Sequence, residues 1–152
     1  MFRHPVPGLG TALFALSLAM AVPVASALAQ DDAPKLTPAP ENAYLYIGWP
    51  NDGERVRSPF KVWFGLRGMG VAPKGVAHEN TGHHHLLINS DLPPAGEPLP
   101  ADRNTLHFGA GETETRLDLP PGRYTLQLVM GDHDHVMHDP PVVSRKITVT
   151  VR

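Results

Sequence analysis

The sequence contains no cysteine, and that absence removes disulfides, thiolate metal ligands and thiol nucleophiles together. No serine stands in a G-x-S-x-G elbow, so acyl transfer through a serine nucleophile is disfavoured. No Walker A pattern occurs, and Gly109-Ala110-Gly111 is too short to cradle a phosphate. Charge of either sign is also scarce in excess: the formal net charge is −2. Neither nucleic acid nor an anionic membrane surface is therefore an expected partner. Helical periodicity is missing downstream of residue 30, where apolar residues alternate or occur in short runs.

The first thirty residues differ from the rest. Arg3 precedes an apolar run at 13–22, and Ala27-Leu28-Ala29 has the small-residue pattern of a cleavage site. Residues 1–29 read as a secretory signal peptide, which predicts a periplasmic or secreted product with no membrane attachment after cleavage. Residues 30–42 carry three prolines and little to bury, and read as a linker. Residues 43–152 are one domain's length.

What is abundant is turn chemistry. Proline (17) and glycine (14) are spread between apolar runs rather than gathered in one tract. This pattern predicts many short strands. Strands are expected at 44–49, 60–67, 83–89, 105–108, 112–119, 123–130 and 143–151. In 60–67 the residues Phe60, Val62, Phe64 and Leu66 share one face. About seven strands of this kind predict an all-β, immunoglobulin-like antiparallel β-sandwich. Tyr124, just beyond the tight Pro120-Pro121-Gly122 corner, stands where a tyrosine corner belongs.

Histidine is the other abundance, nine in all. His83, His84 and His85 run straight into the apolar Leu86-Leu87-Ile88. Alternation puts His83 and His85 on one face, and His84 with Leu86 and Ile88 on the other. A buried, hydrogen-bonded role suits His84, and His78 beside Glu79 suits the surface. In an immunoglobulin-like sandwich, the loop entering 83–89 and the loop leaving 123–130 share one pole. That pole would gather His83, His85, His107, His133, His135 and His138 as candidate metal ligands. Asp132, Asp134 and Asp139 would serve as acceptors that orient their rings.

Crowded neutral imidazoles without thiolate suit a Cu or Zn ion. The leading expectation is thus an exported metal-binding domain rather than an enzyme. A non-metal interaction module for an envelope protein, with a structural histidine–aspartate network, is the alternative. A metal-dependent hydrolase is a second, because three imidazoles and an open position can acidify a bound water.

Several motifs carry a resemblance: Ser58-Pro59-Phe60-Lys61-Val62, Gly68-Met69-Gly70-Val71-Ala72-Pro73, Thr81-Gly82-His83-His84-His85-Leu86-Leu87-Ile88, Leu106-His107-Phe108-Gly109, Leu117-Asp118-Leu119-Pro120-Pro121-Gly122 and His138-Asp139-Pro140-Pro141-Val142. From Pro50 onward the chain resembles a bacterial secreted family catalogued as a domain of unknown function. The resemblance implies a small exported domain and brings no activity or ligands with it.

Overall fold

Apolar residues that alternate between turn residues become strands throughout the computed structural model, which describes residues 36–152. The signal-peptide reading of residues 1–29 lies outside the described residues. Among these, nine strands and no helix form: β1 (Tyr44–Trp49), β2 (Arg55–Val56), β3 (Phe60–Arg67), β4 (Gly70–Val71), β5 (Thr81–Ile88), β6 (Thr105–Phe108), β7 (Glu114–Leu117), β8 (Gly122–Gly131) and β9 (Ile147–Val151). Two of them, β2 and β4, are two-residue pairings. The remaining seven correspond to the strands expected from the sequence.

The strands make two sheets, β1-β3-β7 and β2-β9-β8-β5-β4, with β6 also paired to β5. Their inner faces pack together as an all-β sandwich. Leu45, Phe60, Val62, Phe64 and Leu117 from the first sheet meet Leu86, Ile88, Leu126, Leu128, Met130 and Val149 from the second. At the corner before β8 the Tyr124 hydroxyl donates to the Pro120 carbonyl at 3.0 Å, as a tyrosine corner requires.

Three local differences from the sequence reading matter for the site. The stretch expected as a strand from 143 becomes one only at Ile147. Before it, Val143 bridges Val129, and the Ser144 hydroxyl accepts from the Leu128 N–H at 2.8 Å. Within the segment read as linker, Thr37–Ala39 lie against the chain at 132–139. There Ala39 donates to Asp139 O, Asp139 donates to Thr37 O, and Pro38 bridges Asp139. Finally, β5 is buried on both faces from Gly82 to Ile88. On its outer face, Leu87 joins Val129 of the neighbouring β8 in a second apolar cluster that Leu99 and Met137 complete from beyond the strands.

Candidate metal centre

β5 is hydrogen-bonded to β8 on one side and β6 on the other, so its backbone is fixed by two neighbours. Side chains alternate along it. His84 turns inward beside Phe64, with ring centroids 5.1 Å apart, and its Nδ1 donates to Glu112 O at 3.0 Å. His83 and His85 turn outward, onto the face that carries Leu87.

On β6, His107 stands directly opposite His85, and their ring centroids are 5.0 Å apart. Two glycines make room for these rings. A Cβ at Gly109 would overlap Cε1 of His107, and one at Gly131 would lie 3.0 Å from His85 Nε2. Any larger residue at either place would displace an imidazole.

The fourth ring comes from the turn after β8. His135 has a φ of 68°, a left-handed conformation uncommon for a residue with a Cβ. Asp132 holds the turn in that shape. Its Oδ1 accepts from the Asp134 and Val136 N–H groups, each at 2.9 Å, and its Oδ2 from the Thr37 hydroxyl at 2.6 Å. His135 is held at both backbone ends, its N–H donating to Asp132 O and its carbonyl accepting from Leu99 N–H.

The ring of His135 thus stands 4.9 Å from that of His83 and 4.8 Å from that of His107, centroid to centroid. His83 and His107 are 5.0 Å apart, and His83 and His85 4.9 Å.

One nitrogen each from His83, His107 and His135 lies within 4.8 Å of the other two, a group that could hold a metal ion. Nitrogens bound to one tetrahedral ion at about 2.05 Å stand about 3.3 Å apart, so small ring rotations would close the group. Nε2 of His85 and Nε2 of His83 are 3.1 Å apart, one donating to the other.

The electrostatics favour lone pairs over protons. Burial pulls His83 down to about 4, and repulsion from His135 and His107 adds to it. Burial likewise takes His85 down to about 3, with His83 and His107 contributing. His107 is lowered by burial first and by His135 and Lys74 after it. Uncharged imidazoles at neutral pH are the ligating form.

Five buried ring nitrogens among the described residues lack a hydrogen-bond partner; Nδ1 of His83, Nδ1 of His85 and Nε2 of His107 belong to the cluster, and Nε2 of His84 and Nδ1 of His138 lie outside it. An unmet buried polar atom costs about 1–3 kcal/mol, and such atoms call for a ligand. A cation that accepts imidazole lone pairs fits this donor set.

Two of the six candidate ligands stand apart from the four rings. An extended segment would put His133 and His135 on one face. The chain instead turns there, and His133 Nε2 faces Asp134 Oδ2 at 3.2 Å. It lines a cleft of about 330 Å³ with Thr37, Pro38 and His78. His138 follows the Val136 and Met137 bridges and points the other way from Met137; its Nε2 donates to Thr81 O at 3.2 Å.

Of the aspartates, Asp134 faces a ring as expected, that of His133. Asp132 differs from expectation and organises the backbone rather than a ring. Burial pushes its carboxyl up, but the Thr37 hydroxyl and the two N–H groups outweigh that and hold it below the usual range. Sequence reasoning missed this role, and missed Gly109 and Gly131. The signal for Asp132 was the Asp-x-Asp-x-Val spacing, which suits an Asx turn.

A β-sandwich carrying an imidazole cluster on the outside of one sheet is the class that fold and site define. The chain belongs to the family described as Domain of unknown function (DUF4399), whose sequence model matches residues 62–152. That match contains all four clustered histidines. No curated protein and no solved structure matches.

Proposed function

We propose that the chain is an exported domain that binds one transition-metal ion, Zn(II) or Cu(II), through His83, His107 and His135, with His85 as a fourth imidazole beside them. Its place would be the periplasm or the outside of the cell, after loss of residues 1–29. The observation that carries the reading is the mutual approach of three imidazole nitrogens to within 4.8 Å, beside buried ring nitrogens that have no other partner. Imidazole donors without thiolate suit these two ions. The site is read as one that holds its ion for storage, delivery or sensing, without turnover.

Metal analysis of protein exported without a histidine tag tests this. About one ion per chain is expected, and free ion at 100 times its Kd should stabilise the fold by about 2.7 kcal/mol. His83→Ala with His135→Ala should abolish that shift. A shift that persists in the double variant would overturn the assignment.

A second reading has its own support. The 3.1 Å contact between His83 and His85 and the Asp132 network could serve rigidity alone, in a module that binds an envelope protein. Full stability with neither bound ion nor metal-induced shift would favour it.

A further inference from the structure

The outer face of the other sheet offers a different chemistry. Strand alternation turns Tyr44, Tyr46 and Gly48 of β1 outward, with Lys61, Trp63, Gly65 and Arg67 of β3 beside them. Tyr44 is 58% exposed and Trp63 52%, although large aromatic side chains ordinarily find cover.

The Tyr46 ring lies down on the sheet. Gly65 pairs with Tyr46 across the strands, and a Cβ there would fall within the Tyr46 ring. At Gly48, by contrast, a Cβ would make only ordinary contact, 3.6 Å from Trp63 Cβ. Tyr44 and Tyr46 stack at 5.6 Å with 23° between their planes. The result is a low aromatic platform.

Planar polar groups border it. A cleft of about 270 Å³ along the edge strand β1 is lined by Tyr44, Tyr46, Asn51, Asp52 and Arg145 among others. Asp52 accepts from the Thr148 N–H at 2.8 Å and from Arg145 at 3.3 Å, which fixes the carboxylate at the rim.

The outward residues of β3 and β7 carry three cations, Lys61, Arg67 and Arg116, against one carboxylate, Glu114, which pairs with Lys61 at 2.8 Å. Arg67 stands 5.6 Å from the centre of the Tyr46 ring. A cationic face on a chain of formal net charge −2 is local, not a reflection of composition.

We infer that this face binds an acidic oligosaccharide: sugar rings stack their C–H faces on Trp63 and Tyr44, their hydroxyls meet Asp52, Asn51 and Arg145, and their carboxylates meet Arg67 and Arg116. Three aromatic side chains are too small a patch for a stable protein interface, which buries about 800 Å² per partner. The surface is independent of the imidazole cluster, which lies on the opposite sheet.

Calorimetric titration of the full chain with an oligouronate tetramer, and with a neutral glucan tetramer for comparison, tests the inference. The oligouronate is expected to bind and to weaken as salt is raised. Trp63→Ala should lower its affinity about tenfold, Tyr44→Ala somewhat less, and Arg67→Gln should narrow the preference over the neutral sugar. Because these side chains are exposed, each variant should melt within a few degrees of the parent. Absence of heat with either sugar at millimolar concentration would overturn the inference. So would an affinity unchanged by Trp63→Ala with Tyr44→Ala, a neutral sugar bound as tightly as the acidic one, or binding confined to a proline-rich peptide.

Discussion

The two sheets present similar apolar faces to each other and very different faces to the outside. Among the described residues nothing crosses outside β1 and β3, and Tyr44 and Trp63 are more than half exposed. Outside β5 and β8 the chain folds back, and Leu99 and Met137 are buried over Leu87 of β5 and Val129 of β8. The same alternation operates on both sheets, so the difference lies in what crosses above. Covered, imidazoles lose their protons and keep their lone pairs; uncovered, aromatic rings keep a face for something else. Polar side chains on a covered sheet face need partners; His83 and His85 share one hydrogen bond, while His83 Nδ1, His85 Nδ1 and His107 Nε2 have none.

The largest expected effect breaks the cover. Leu99 is 4% exposed and touches the space beside Gly131. Leu99→Ala should cost about 3 kcal/mol in urea unfolding, and it should open the imidazole cluster to solvent. A loss below 1 kcal/mol would mean the segment is not packed as described. Asp132→Ala comes next, at about 2 kcal/mol, because two backbone N–H groups and the Thr37 hydroxyl lose their acceptor. The same variant should weaken metal binding, since His135 relies on that turn; an unaltered metal affinity would separate the turn from the site.

Acid should reveal the contrast without any mutation. Both His83 and His85 are held below 6.5, at about 4 and about 3. As pH falls below 6.5 the unfolded chain takes up protons that the folded chain refuses. Chelator-treated protein should therefore hold this contribution in full above 6.5 and lose it progressively toward pH 4 and below. His83→Gln with His85→Gln should flatten that slope; an identical slope in the variant would place the protons elsewhere. The smallest effect belongs to the bare face: Trp63→Ala should change stability by no more than about 0.5 kcal/mol. A much larger cost would mean that the ring is needed by the fold.

Much of this contrast is legible in the residues. Alternation in Phe60-Lys61-Val62-Trp63-Phe64 by itself separates inner from outer positions, and it separates His84 from His83 and His85. The pole rule for an immunoglobulin-like sandwich brings His107 and His135 toward them. The turn at 133–135 carries a local signal in Asp132-x-Asp134-x-Val136, but the Thr37 hydroxyl that anchors Asp132 from 95 residues away carries none. An extended reading of that turn places His133 beside His135, and the Asp132 hydrogen bonds instead send His133 toward Asp134. The cover over β5 is equally non-local. Proline-rich residues 91–104 look like a surface connection until Leu99 is seen buried and hydrogen-bonded to His135 O.

The central claim is that rings from β5, β6 and the turn after β8 grip one ion together. X-ray absorption at the metal edge, on protein loaded with one equivalent of Zn(II), addresses that claim most directly. The account predicts three or four imidazole nitrogens at about 2.0–2.1 Å and no sulfur, with the pattern lost in His83→Ala with His107→Ala and His135→Ala. An ion surrounded by oxygen alone, or a spectrum unchanged in that triple variant, would contradict it.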